Sequence, residues 1–331
     1  MNHRKSVYCL LLGCLLTVAC TEKRYRVPSS SPEPDICIQR YDREFFEKGS
    51  INDTAFWQLY TENIMQAGEA GLPETHAFME VFRNDSDMRQ VWNDCQRVFP
   101  STHKTERKLQ KAFRRLCHFV PDMPVPIVGM HLSGFGQSIV SAPDRLSASI
   151  DKYLGCSYPY YEDIFYDYQR RRMRPEQLTA DYMNGWIRSE FTNESIMAGQ
   201  RLLDYLVYEG KILFLLRQVL PAEPLERLAG WDKTQLEWCC DNEQRMWDRI
   251  LEYEHLYSAD PLVLSKYIGD GPFTVYFTEE APARAAIWVG YQIVVQYMAV
   301  QKQCSLLELM MQTDARVILR QSCYRPSKGK H

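Results

Sequence analysis

The chain lacks a charge imbalance and lacks any long block of one sign. Its 331 residues hold 39 Lys and Arg against 42 Asp and Glu, a formal net charge of −3. Nucleic-acid binding draws on a basic stripe that neutralises phosphates, and there is none, so a nucleic-acid partner is not expected. The densest basic group, Arg170-Arg171-Arg172 with Arg174, is short and runs into Pro175 and Glu176. It reads as a solvated loop or helix end. Beyond residue 19 no segment reaches 18 consecutive apolar residues, so no membrane-spanning helix is expected there. Common catalytic signatures are missing too. There is no H-E-x-x-H for zinc, no G-x-S-x-G, no P-loop and no G-x-G-x-x-G. His76, His103, His118, His131, His255 and His331 are scattered, with no pair four apart. Neither a metal nor a cofactor is therefore expected. The stretch His131-Leu132-Ser133-Gly134-Phe135-Gly136 lacks the strand-elbow-helix context of a nucleophile.

What is present begins at the N-terminus. Arg4 and Lys5 precede an almost wholly apolar stretch from Val7 to Val18, which ends at Ala19-Cys20. A dozen apolar residues are too few to span a bilayer, where roughly 20 are needed, and they match the apolar part of a signal peptide. A small residue before a cysteine is what lipoprotein processing requires. Residues 1–19 are read as a lipoprotein signal peptide and Cys20 as the lipid anchor, with Cys14 in Leu11-Leu12-Gly13-Cys14 as the alternative. The usual Leu three places before the cysteine is Thr17, with Leu16 one step away. Two or more acyl chains anchor stably where one does not. Residues 20–34, with Ser29, Ser30, Ser31, Pro32 and Pro34, read as a flexible tether. No acidic run follows Cys20, so the periplasmic face of the inner or outer membrane is the expected location.

Residues 35–331 are read as one globular α+β domain, mostly helical. Helices are expected over Asn52–Met65, Glu74–Phe82, Met88–Phe99, Thr102–Phe119, Pro175–Phe191, Ser195–Leu220, Thr234–Tyr257, Pro261–Tyr267, Pro282–Gln301, Ser305–Met311 and Thr313–Ser322. Ile127–Leu132, Gln137–Val140 and Leu146–Ile150 are expected to form a small antiparallel sheet near the middle. Eight cysteines follow Cys20, without C-x-x-C or metal-finger spacing. One or two disulfides are expected, the other cysteines acting as small core hydrophobes.

Glu209 is the most informative polar residue. Its neighbours at helical spacing are Leu202, Tyr205, Leu206, Ile212, Leu213 and Leu216, a largely apolar stripe. A carboxylate there needs a partner or a proton. Arg284, at the start of a strongly apolar helix, is the expected cation, while Lys211 is placed on the polar side of the Glu209 helix. The helix from Ala285 to Val300 is apolar nearly all round and is expected at the centre. Trp288 and Tyr291 supply contact area on it, Gln292 and Gln296 need hydrogen-bond partners, and Gly290 permits close approach of another helix.

A set of short motifs resembles one family. These are Arg40-Tyr41-Asp42-Arg43 with Phe45-Phe46, Asp151-Lys152-Tyr153-Leu154-Gly155 with Tyr158-Pro159-Tyr160-Tyr161, Tyr208-Glu209-Gly210-Lys211, Gln235-Leu236-Glu237-Trp238-Cys239, Asn242-Glu243 with Trp247, Gly271-Pro272-Phe273, and Pro282-Ala283-Arg284 with Trp288-Val289-Gly290-Tyr291-Gln292. Their order and spacing resemble the gliding motility-associated lipoprotein GldB family of Bacteroidetes. The resemblance implies a membrane-anchored, periplasm-facing lipoprotein of the cell envelope. A more distant resemblance to zincin metalloproteases implies a scaffold in which Glu209-Gly210 stands where a third metal ligand would be. The active-site helix would then fall near Leu178 to Phe191. There Asp181-Tyr182-Met183-Asn184-Gly185-Trp186-Ile187-Arg188 holds no histidine. A degenerate, noncatalytic zincin that binds an envelope protein or peptide is the expectation. The alternative is a hydrolase or peptidase whose site no longer follows H-E-x-x-H. Asp151, Tyr153, Glu209, Lys211, Arg284, Trp288 and Gln292 are the candidates for a cleft or core polar cluster.

Overall fold

The computed structural model describes residues 24–196 and 199–329. The expected signal segment and Cys20 lie outside them. Four strands make one sheet: β1 (Gln39–Arg40), β2 (Ile127–His131), β3 (Ile139–Ala142) and β4 (Arg145–Ser149), in the order β1-β2-β4-β3. The other elements that matter for the site are helices α1 (Tyr41–Lys48), α2 (His103–Phe119), α3 (Leu178–Glu190), α4 (Leu202–Val219), α5 (Glu243–Glu252), α6 (Ala286–Val300) and α7 (Leu306–Met311). The α+β class with a helical majority is as read from the sequence. Among the described residues no helix is long and apolar enough to cross a membrane.

The sheet is mixed, which corrects the expected antiparallel arrangement. β2 runs parallel to both β1 and β4, and only β3 is antiparallel to β4. The chain leaves β2, passes one strand's width and returns as β3. The two-residue turn Pro143-Asp144 then folds β4 back into the gap, beside β2 and in the same direction. A tight hairpin is legible in a sequence; the vacant place it fills is not. β4 is buried from Leu146 to Ser149 because helices cover both faces, which hides the alternation expected of a half-exposed strand. Tyr41 of α1 lies over Gly129 on one side, where a Cβ would stand 2.3 Å from its ring. On α3 the Tyr182 hydroxyl donates to the Gly129 carbonyl at 2.6 Å.

Helices α4 and α6 form the centre. They cross at Gly210 and Gly290, where a Cβ on Gly290 would fall 1.8 Å from the Leu206 carbonyl oxygen. The close approach expected at Gly290 is present. Several helix ends differ from expectation. α4 starts at Leu202 and not at Ser195, with the Arg201 amide donating to the Asp204 carboxylate at 3.0 Å. The expected helix over 234–257 breaks at Asn242, whose side-chain amide donates to the Trp238 carbonyl at 2.9 Å. α6 starts at Ala286, so Pro282 to Ala285 form a turn before it. None of the eight described cysteines is paired. They are dispersed, with Cys95 and Cys239 in the core and Cys37 and Cys323 exposed.

The segment expected as a tether joins the domain earlier than the sequence suggested. Arg24 donates to the carbonyl of Met298 in the last turn of α6, a group without a partner in its own helix, and to those of Gln301 and Cys304 in the turn that follows. The Tyr25 ring packs edge-on against Phe119 of α2 and Phe214 of α4. Arg115 donates to the Tyr25 carbonyl at 3.0 Å. A Ser/Pro-rich composition said loop, and Pro28 to Ser30 are exposed, but Arg24 and Tyr25 fasten the chain upstream of it.

Candidate functional site

α3 and α4 lie side by side and bring two charges together. Arg188, near the end of α3, grips Glu209 in a fork: Nη1 to Oε1 at 2.9 Å and Nη2 to Oε2 at 2.6 Å. One turn earlier on α3, Asn184 Oδ1 accepts from Arg188 Nε at 2.9 Å and fixes the guanidinium plane. A planar bidentate pair of this kind is among the stronger charged contacts. Arg284 approaches from the turn before α6, with Nη2 3.4 Å from Glu209 Oε2. The expected Glu209–Arg284 pair therefore exists, but it is the lesser of two. Burial pushes the Glu209 carboxyl up, and Arg188, then Arg284, outweigh it and hold the group below its usual range. Arg188 is held above the ordinary arginine value by Glu209 despite burial, whereas burial with the neighbouring Arg172 and Arg188 charges lowers Arg284. The carboxylate thus belongs to Arg188, and Arg284 is a surplus cation.

Arg284 also sits in the left-handed region at φ +61°, an uncommon conformation for a residue with a side chain. Buried Thr274 enforces it. The Thr274 hydroxyl donates to the Pro282 carbonyl at 2.6 Å and accepts the Ala285 amide at 2.9 Å.

Beside this throat, a space of about 20 Å³, lie two larger cavities that share lining residues with it. One of about 460 Å³ is walled by Arg171, Arg172, Arg174, Arg227, Trp231 and Arg284, with Glu176, Glu226, Asp232 and Asp270 on the same lining. The other, of about 300 Å³, runs past Ile139 of edge strand β3, Tyr153, Asp181 and Asn184. Arg172 lines all three spaces, Asn184 the throat and the β3 cavity, and Asp270 both larger cavities. Together they form one trough beside α3. Gly185 lets that helix seat against the edge strand, since a Cβ there would meet Ile139 Cγ2 at 2.5 Å. In the trough Tyr153 donates to Asp181 Oδ2 at 3.0 Å, and Gln177 Nε2 donates to Asp181 Oδ1 at 2.9 Å. Burial, and then Asp181, push the Tyr153 hydroxyl well above its usual value.

Of the residues singled out from the sequence, the trough gathers Glu209, Arg284 and Tyr153. Asp151 is fully buried behind it and accepts the Phe135 amide at 2.7 Å, the Ser133 amide at 3.3 Å and the Ser149 hydroxyl, so it braces the loop after β2. Trp288 faces another cluster, donating to Glu243 of α5 at 3.1 Å. Gln292 is half-buried on α6 and lines none of these spaces. Gln296 exchanges two bonds with the Arg325 backbone, each at 2.9 Å. Lys211 is a correction. It is only 2% exposed, and its ammonium donates to the carbonyls of Met310, at 3.4 Å, and Gln312 just past α7. α4 is covered on nearly every side, so it has no polar face for Lys211 to occupy. Burial pushes the amine down to about 8.

Sequence reasoning passed over Arg172, read within a solvated basic cluster, and Arg188, which sits inside an otherwise apolar turn with Trp186 and Ile187. The signal for Arg188 was there: a cation on a core helix implies a buried anion, and Glu209 was the anion without a settled partner. A metal does not fit the throat. Both Glu209 oxygens and Asn184 Oδ1 are already bonded to Arg188, and among the described residues no group of three or more His, Cys, Asp or Glu side chains could hold an ion.

Comparison with curated proteins and with solved structures gave no match. The family model described as "Gliding motility protein GldB" matches residues 22–326, nearly the whole chain. The chain belongs to the gliding motility protein GldB family.

Proposed function

We propose that this GldB-family chain is a lipid-anchored protein on the periplasmic side of the cell envelope, and that its trough binds a protein or peptide without catalysing a reaction. In this reading the trough is the cleft of a degenerate zincin scaffold. One observation carries it. Asn184 and Arg188 stand four apart on α3 and face Glu209 of α4, the spacing at which a zincin would present two histidines and a third ligand. Here the guanidinium of Arg188 takes the place of the cation. A permanent organic cation balances the carboxylate but has no open position for water or substrate, so the pair supports shape and charge and not Lewis-acid chemistry. The start of edge strand β3, at Ser138 and Ile139, lines the trough, which suits an extended peptide pairing along a sheet edge.

Two measurements test the two halves. Asn184→His with Arg188→His should create a site that takes up cobalt with a tetrahedral absorption spectrum, while the unaltered chain takes up none; failure of the double variant to bind, in a protein that still melts cooperatively, would count against the scaffold. Cys20→Ala should move the protein out of the detergent phase on partitioning. Unchanged partitioning, or loss only with Cys14→Ala, would count against the anchor.

A further inference from the structure

We propose that the mouth of the throat, where Arg172 and Arg284 also line the 460 Å³ cavity, is a built receptor for a carboxylate, so that the group recognised in the trough is a carboxylate carried by a peptide; this rests on the reading of the trough as a peptide cleft. The charges lining the throat do not balance. Three guanidinium groups, Arg172, Arg188 and Arg284, line the throat with one carboxylate, Glu209. Arg188 satisfies both oxygens of that carboxylate. Arg284 is left with a single contact at 3.4 Å, and Arg172 with one at 3.5 Å to Asp181. Two forks with free donors therefore point at a space already partly removed from water. Unpaired positive charge there is costly, and an entering carboxylate offsets the cost by accepting in-plane bonds from either fork.

The backbone gives a second, independent sign. Glycine would fit the left-handed position 284 without strain, yet an arginine is held there by Thr274 from two sides. Strain maintained by its surroundings points to a task for the strained side chain. The side chain is 20% exposed, and that exposure faces both the throat and the 460 Å³ cavity.

The rim decides which anion fits. Glu176, Glu226, Asp232 and Asp270 share the larger cavity with the arginines. Against these four acids the same lining carries six cations, Arg171, Arg172, Arg174, Arg227, Lys233 and Arg284, a surplus of two positive charges that attracts an anion, while the interleaved acids limit how many charges a polyanion could pair. Trp231 and Pro272 on the same wall offer apolar contact to the residue that bears it.

The test uses the full chain in non-ionic detergent micelles and saturation-transfer NMR on small probes. N-acetyl-dialanine carries a terminal carboxylate, N-acetyl-glutamic acid α-amide carries a side-chain one, and N-acetyl-dialanine amide carries none. At least one acid should bind saturably, and about tenfold or more tightly than the neutral amide. Whichever acid binds better identifies the source of the carboxylate. Arg284→Gly should weaken that acid by about tenfold or more while the melting temperature stays the same or rises, since glycine relieves the backbone. Equal binding of acids and amide, or unchanged acid binding by Arg284→Gly, overturns the carboxylate receptor and leaves the peptide cleft standing. Tighter binding of inorganic phosphate than of either acid also overturns it. Absence of binding by all the peptide probes overturns both.

Discussion

Removing the Glu209 carboxylate leaves two guanidinium groups facing each other across the throat. Breaking a buried ion pair from one side costs roughly 3–5 kcal/mol, because the abandoned charge stays behind. Arg188 keeps a side-chain exposure of 29% and Arg284 one of 20%, so water relieves part of the loss and the lower end, about 3 kcal/mol, applies. Unfolding entropy near 2.1 cal/mol/K per residue over roughly 300 residues converts that into a fall in melting temperature of about 5 °C for Glu209→Ala. Arg188→Met should cost less, about 1–2 kcal/mol, because Glu209 still has Arg284. The double variant should then be less destabilised than the two losses added, with a coupling of about 1 kcal/mol or more. Urea unfolding of the four proteins closes the cycle. The pair also has a pH signature. Glu209 is held below its usual value of 4.5, so its contribution is complete above that pH and disappears as pH falls through the lower folded value. Wild type and Glu209→Gln should therefore differ at pH 7 and converge only below about pH 4. Additivity within about 0.5 kcal/mol, or a Glu209→Ala loss below about 1 kcal/mol, would refute the assignment of the carboxylate to Arg188.

Lys211 and His131 give two further pH tests. The folded Lys211 amine, pushed down to about 8, releases its proton before the unfolded chain does at 10.5, so folding is favoured as pH rises through that window. Relative to Lys211→Met, wild type should gain about 2 kcal/mol between pH 7 and 9.5 in urea midpoints; parallel curves would mean the amine is solvated. His131 is buried with Nδ1 2.7 Å from the Ser147 hydroxyl and Nε2 without a partner, and burial lowers it to about 3. The unfolded chain takes up its proton near 6.5, so stability is lost as pH falls below that, by about 2 kcal/mol at pH 5. His131→Phe should flatten the acid limb by that amount, and an unchanged limb would place the loss elsewhere. Purified protein should contain well under one zinc per chain by elemental analysis, and stoichiometric zinc would mean that a metal site lies away from the throat.

What could be read from the sequence depended on how local its cause was. Glu209 stood out because Leu202, Leu206, Leu213 and Leu216 share its helical stripe, and a carboxylate among them needs an answer. The answer lay on another helix, and no spacing within α4 points to Arg188. Gly290 was legible for the same local reason: a glycine on an all-apolar helix leaves room for a neighbour's backbone. Lys211 was misplaced because one helix can be covered on all sides by several others, and a polar residue on it then reaches a distant carbonyl. Arg172 was hidden in a run of arginines whose composition says solvent, although this one lines the throat and both larger cavities. The strands were found near their places, but the insertion of β4 beside β2 follows from the path of the whole chain. Helices were found more readily than their ends, where single side chains such as Asn242 decide.

On the proposed lipid anchor at Cys20, the seat of Arg24 and Tyr25 on α2, α4 and α6 would set the altitude of the domain. With the chain held at that proposed anchor, four peptide steps would separate the bilayer from the first docked residue, about 14 Å when fully drawn out. A free tether from residue 20 to residue 34 would allow about 50 Å. The shorter reach would make the domain a moored body close to the headgroups. A mooring of this kind would raise the effective concentration of the proposed cleft for ligands fixed to the same membrane and withhold it from ligands further away. Cutting the Arg24 and Tyr25 contacts by substitution to Ser would lengthen the line without touching the trough, and would change which ligands the trough can meet.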